Sequence, residues 1–123
     1  MSNQLRDEDY LEHMLEAATR IQRYVAGKSE GDFASDDLLQ DGVIRNLEVI
    51  GEAVAKLTPE MKAAHANVPW GLISGMRNRL IHGYMSINLQ IVWDTVRKVV
   101  PQFATDIVAI RQGLVSRSKP TDS

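Results

Sequence analysis

The sequence predicts an all-α protein, a bundle of four to five helices whose long last helix is kinked at a proline. Two observations predict this class. Apolar residues recur at three- and four-residue steps along most of the chain, and no segment alternates apolar and polar residues as a half-buried strand would. A third places the boundaries: Gly, Pro, Ser, Asn and Asp fall where the apolar stripes begin and end.

Tyr10, Leu11, Met14, Leu15, Ala18, Ile21 and Val25 mark the first helix, which should end near Gly27, a residue suited to the left-handed cap. Residues 28–34 are polar, contain Gly31 and read as a loop. Ser35 is the expected cap of the second helix, and Asp36 and Asp37 suit the positive end of its dipole. Leu39, Val43, Leu47, Ile50, Val54 and Leu57 form its stripe. Thr58-Pro59 stops that helix and starts a short one reaching His65, because proline fits the first helical position. Pro69 repeats the start signal for a helix carrying Trp70, Ile73, Met76, Leu80 and Ile81, which Gly83 ends.

Ser86 or Asn88 can cap the final helix. Its stripe of Leu89, Trp93, Val96, Val100, Phe103, Ile107, Ile110 and Leu114 keeps phase across Pro101. That favours one kinked helix over two helices joined by a turn. Residues 1–115 are expected to form a single domain, with a frayed polar tail at 116–123.

A chain of 123 residues, 44% hydrophobic and 24% charged, suits one packed domain rather than a disordered segment. With no cysteine, thiolate zinc sites, disulfides and cysteine nucleophiles are excluded. The polar, acidic start does not read as a secretory signal, and no apolar run approaches the roughly 20 residues of a membrane span. A cytoplasmic protein with no membrane association is expected.

The net charge of −2 argues against binding nucleic acid by broad phosphate neutralisation. The charge is nevertheless uneven. Residues 1–16 set Arg6 against five carboxylates, a net −4, whereas residues 69–98 set Arg77, Arg79, Arg97 and Lys98 against Asp94, a net +3. An anion site belongs in the second half and must be local.

The segment Met76-Arg77-Asn78-Arg79-Leu80-Ile81-His82-Gly83-Tyr84 crowds polar and ionisable side chains at the end of an otherwise apolar helix. Asn78 and His82 are four residues apart, hence on one face, where a hydrogen bond would fix the imidazole tautomer. Arg77 and His82 differ by about 140° around the helix, so both can line one concavity without touching. A guanidinium offers a permanently charged fork to phosphate oxygens, and an imidazole moves protons near neutral pH. Together they meet the minimum for RNA cleavage by the 2′-hydroxyl: a proton-transfer group and a cation for the pentavalent phosphorus. Full acid–base work needs two proton-transfer groups, which a twofold dimer would supply. The plainer alternative stays open: a histidine at a helix end can simply complement the dipole, and the arginines can be ordinary ion-pair partners.

Other constellations are weaker. His13 lacks a second histidine at metal-ligand spacing, and His65 reads as a surface residue. No glycine-rich phosphate loop and no serine nucleophile elbow is present, so neither a cofactor nor a metal is implied. Gly51 inside a helix suggests the close approach of another helix, and Glu52 reads as solvated or ion-paired.

Arg77-Asn78-Arg79-Leu80-Ile81-His82-Gly83-Tyr84 resembles the Arg-x4-His-x-Tyr signature of HepT-like proteins in the HEPN superfamily. Residues 43–53, Val68-Pro69-Trp70 and Ile91-Val92-Trp93 are similar to further family segments in the same order, so the resemblance spans roughly residues 5–112. It implies a HEPN-type helical bundle that forms a homodimer or higher oligomer. The activity implied is that of a metal-independent endoribonuclease, the toxin of a type VII-like toxin–antitoxin pair. Its partners would be an RNA substrate and a cognate nucleotidyltransferase antitoxin. Arg77 and His82 match the catalytic positions, Asn78 the polar residue following that arginine, and Tyr84 the tyrosine that the antitoxin modifies with AMP. Arg79 is the candidate for an auxiliary phosphate contact. The alternative function is a non-catalytic helical dimer that binds a nucleotidyltransferase or a nucleotide.

Overall fold

The computed structural model describes residues 3–82 and 88–118; for residues 3–5, 77, 80–82 and 115–118 it describes the backbone alone. Within them lie seven helices and no strand: α1 (Asn3–Val25), α2 (Glu30–Ala34), α3 (Asp37–Lys56), α4 (Pro59–Ala64), α5 (Trp70–His82), α6 (Leu89–Lys98) and α7 (Val100–Ser118). The all-α bundle is as expected. Helices α1 and α3 pack together along their lengths, α5 packs on α3, and α7 packs on α1. Leu11, Met14, Ala18 and Ile21 of α1, with Val43 and Val54 of α3 and Ile107 of α7, are fully buried between them.

The start and stop signals act through identifiable atoms. Gly27 adopts φ 73°, the left-handed conformation that ends α1. Thr58 caps α4 by accepting from the Met61 amide, with Pro59 in the first helical turn. The carbonyl of Pro69 accepts the Ile73 amide at the start of α5. Asn88 caps α6, its Oδ1 accepting from the Gln90 and Ile91 amides, while the alternative Ser86 lies outside the described residues.

Two expectations need correction. Residues 28–34 are not wholly a loop, because Glu30–Ala34 form the short helix α2. Ser29 Oγ accepts from the Asp32 amide at 3.0 Å while Asp32 Oδ2 accepts from the Ser29 amide at 2.9 Å, a reciprocal capping box. Hydrogen bonding of the Asp32 carboxyl to Ser29, to its amide first and its hydroxyl second, holds that carboxyl below its ordinary pKa. Phe33 is thereby driven into the core, with its ring 5.4 Å from that of Trp93. The cap of α3 is Asp36 rather than Ser35: its Oδ1 accepts from the Leu39 amide at 3.0 Å. The Ser35 hydroxyl is engaged elsewhere, donating to the carbonyls of Gly31 and Asp32.

The stretch expected as one kinked helix is built of α6 and α7, separated by the single residue Val99, which keeps right-handed helical backbone angles (φ −102°, ψ −46°). Pro101 has no amide to offer the Arg97 carbonyl, so one rung of the ladder is absent. The rungs on either side persist, from Val99 N to Thr95 O at 2.9 Å and from Phe103 N to Val99 O at 3.0 Å. The apolar stripe therefore stays in phase across the break.

One tertiary contact joins residues far apart in sequence. Asp7, 3% exposed, accepts from the Thr58 amide at 3.0 Å and from the Thr58 hydroxyl at 2.6 Å. This clasp ties the start of α1 to the turn between α3 and α4.

Candidate functional site

Helix α5 carries the motif, and its inner side explains how it is held. Trp70 donates its indole N–H to the His65 carbonyl at 3.0 Å and meets Phe103 edge-on at 6.2 Å. Ile73 and Met76, one turn apart, are both buried. These three residues anchor the first half of α5 against α3 and α7.

The outer side of the same helix is sparsely covered. A Cβ placed on Gly71 or Gly75 would meet nothing within 4 Å, and Leu72 between them is 54% exposed. Leu72 also borders a narrow apolar crevice of about 20 Å³ shared with Leu47 and Ile50 of α3 and Thr95 and Val99. Asn78 and Arg79, two turns beyond Gly71, are exposed.

The helical backbone continues through Arg77 to His82, so both candidate catalytic residues sit on the last turns of α5, five positions apart. At 1.5 Å per residue this is a rise of about 7.5 Å. The side chains of Arg77 and His82, and all of Tyr84, lie outside the described residues. The structure thus puts Asn78 and Arg79 on accessible surface and places Arg77 and His82 by register.

The other singled-out residues have structural roles. Glu52 pairs with Lys56 at 3.3 Å on the surface of α3, and Gly51 is buried in the same helix. His13 is exposed, edge-on to Tyr10. His65 is half-buried at the end of α4, where its carbonyl receives Trp70. Among the described residues no three His, Asp or Glu side chains gather where they could hold a metal ion, and no helix is long and apolar enough to cross a membrane.

Residues 14–110 match the family model described as "Ribonuclease HepT-like". The chain is 41% identical over 103 residues to "Putative RNase TTE0752" of Caldanaerobacter subterraneus subsp. tengcongensis, covering 84% of this chain and 92% of that protein. It is 34% identical over 104 residues to "Probable ribonuclease HepT" of Thermococcus cleftensis, covering 85% and 94%. It is also 37% identical over 105 residues to a protein of Methanocaldococcus jannaschii named "Gamma-glutamylcyclotransferase and putative RNase MJ0434", covering 85% of this chain and 47% of that longer one. No solved structure matches. On the extent of the family match, which takes in every helix from the middle of α1 to the middle of α7, the chain belongs to the HepT-like ribonuclease family.

Proposed function

We propose that the chain is a metal-independent endoribonuclease, the toxin of a toxin–antitoxin pair, with Arg77 and His82 as its catalytic residues. The observation that carries this reading is the placing of Arg-x4-His on the closing turns of α5, beside exposed Asn78 and Arg79. In the reaction the RNA 2′-oxygen attacks the adjacent phosphorus, loses its proton to a base and forms a new P–O bond. The P–O5′ bond breaks, and the departing oxygen takes up a proton. The products are a 2′,3′-cyclic phosphate and a free 5′-hydroxyl. His82 handles one of these proton transfers, and Arg77 neutralises the charge on the phosphorane. Asn78 orients the imidazole from four residues away, and Arg79 contacts a neighbouring phosphate.

Two proton transfers and one histidine per motif call for a second copy of the chain. The low profile of α5 at Gly71 and Gly75, with Leu72 exposed between them, supports the approach of that copy along this helix. In the cytoplasm the activity is restrained by a nucleotidyltransferase partner that attaches AMP to Tyr84. An AMP group two residues from His82 adds bulk and negative charge where an RNA phosphate must bind.

The test is incubation of the unmodified protein with cellular RNA in EDTA, beside His82→Ala and Arg77→Ala. The wild type should release 2′,3′-cyclic phosphate ends. Each variant should lose roughly 10²–10⁴-fold in rate while keeping its helical circular dichroism. Wild-type protein that leaves RNA intact yet holds a nucleotidyltransferase tightly would replace this reading with that of a binding module. Modification is followed by intact mass: a gain of whole AMP units should disappear in Tyr84→Phe.

A further inference from the structure

We propose that the surface formed by the end of α1 and the start of α3 is a twofold interface between copies of this chain, in which Leu38 of each copy seats in a cavity of the other. It lies on different helices from the α5 pairing and stands without the ribonuclease reading.

The first observation is Leu38 itself. It is 83% exposed in the first turn of α3, far more than any other exposed large apolar side chain among the described residues. An isolated exposed leucine needs no explanation, but this one borders an open, mainly apolar cavity of about 390 Å³, ample for a leucine side chain. Tyr24 of α1, Leu39 and Gly42 of α3 and the cap residue Asp36 line it beside Leu38. Its floor is kept low by Gly42, where a Cβ would come within 3.3 Å of the Tyr24 ring. A knob and a hole of matching chemistry therefore lie side by side, and reciprocal exchange of the two is the geometry of an isologous contact.

The second observation is the charge around them. Gly42 lies about 40° around α3 from Leu38 on the side facing α1, whereas Asp41 lies about 60° away on the opposite side. Asp41 and Asp37, both exposed, thus form an acidic flank beyond Leu38. The α1 flank is basic: Arg20 and Arg23 are exposed, with the Arg23 guanidinium 5.7 Å from the Tyr24 ring centroid. Among the described residues the ion pair formed is Lys56–Glu52, which uses none of these four charges. A twofold axis running along the helices between Leu38 and the cavity sets each Leu38 opposite the other copy's cavity and carries the basic flank of one copy onto the acidic flank of the other. An RNA occupant would meet Asp37 and Asp41, which repel phosphate, so the second copy fits this surface better.

The test is the solution mass of the full chain by light scattering. Wild type should have roughly twice the mass of Leu38→Glu. Arg23→Glu and Asp41→Arg should each behave like Leu38→Glu, and the combined R23E/D41R protein should regain the wild-type mass. All three side chains are exposed, so thermal melting should confirm that each variant stays folded. An unchanged mass for Leu38→Glu would overturn the interface. Failure of the double reversal to restore what each single reversal removes would overturn the twofold charge register. Neither outcome bears on RNA cleavage, which uses α5.

Discussion

Removing the carboxylate of Asp7 should be among the most damaging single changes outside the apolar core. Asp7 is 3% exposed and accepts two hydrogen bonds from Thr58, one from the amide at 3.0 Å and one from the hydroxyl at 2.6 Å. Bonds to an ionised acceptor contribute about 1.5–3 kcal/mol each, but Thr58 is only half-buried, so water can recover part of the loss. Asp7→Ala should therefore cost about 3 kcal/mol. With an unfolding entropy of about 2.1 cal/mol/K per residue, a 123-residue chain loses about 4 °C of Tm per kcal/mol, hence about 12 °C. Asp7→Asn keeps an acceptor for the Thr58 amide and lets the hydroxyl turn to accept, so it should lose only about a third as much. Thr58→Val removes the hydroxyl from both the clasp and the α4 cap, and its loss should be non-additive with Asp7→Ala. Urea unfolding of wild type, Asp7→Ala, Thr58→Val and the double variant measures the cycle. Additive losses, or an Asp7→Ala protein within 0.5 kcal/mol of wild type, would refute the idea that this clasp holds α1 to the α3–α4 turn.

Three further outcomes follow from particular contacts. Phe33→Ala should destabilise by about 3 kcal/mol in urea, since a ring 1% exposed and packed on Trp93 is replaced by a cavity, whereas Phe33→Leu should cost about 1 kcal/mol. Gly27→Ala should cost about 1 kcal/mol, because φ 73° is strained for any residue with a Cβ; a neutral result in thermal melts would contradict the assigned helix end. The depressed pKa of Asp32 predicts a local acid response. The capping box is intact above the ordinary carboxylate value of 3.8 and opens as pH falls through the lower folded value. The protection of the Ser29 amide, its exchange rate relative to an unstructured chain at the same pH, should be lost across that range, and Asp32→Asn should abolish the dependence.

How far the sequence revealed this fold depended on the range of the interaction. Stripes such as Leu39–Val43–Leu47–Ile50–Val54 are repeated over several turns, so the long helices were legible from spacing alone. Helix α2 was not, because five residues with one buried side chain are too few to show a period. A signal was present in Ser29-x-x-Asp32, the spacing of a capping box. Ser35 and Asp36 are both good cap residues, and the choice between them turned on a local fact the sequence does not display: Ser35 closes α2. The Asp7–Thr58 clasp spans 51 positions and has no local signature, so Asp7 read as one more residue of an acidic run. For the site, residue types and register were legible at Arg77, Asn78, Arg79 and His82. The exposure of Asn78 and Arg79, and the bare outer face at Gly71 and Gly75, came only from the packing of α5.

If α5 carries the proposed chemistry, that packing separates support from chemistry along a single helix, and the separation can be tested. Trp70 lies 12 residues before His82, about 18 Å along the axis, and it fastens α5 through one indole hydrogen bond and an edge-on contact with Phe103. Trp70→Phe keeps most of the ring but leaves the His65 carbonyl without that donor, which should cost about 1–2 kcal/mol. Because the break is at the far end of the helix, turnover per folded molecule should stay within about twofold of wild type. Asn78→Ala should do the reverse. Its side chain is exposed, so stability should hold or rise by about 0.5 kcal/mol from the better helix propensity of alanine. On the proposed mechanism turnover should fall, and its pH profile should shift, because there Asn78 sets the tautomer of the imidazole four residues on. Paired unfolding and cleavage measurements on the two variants decide the matter: if Asn78→Ala cleaves RNA with an unaltered pH profile, Asn78 is surface decoration and the imidazole is oriented by something else.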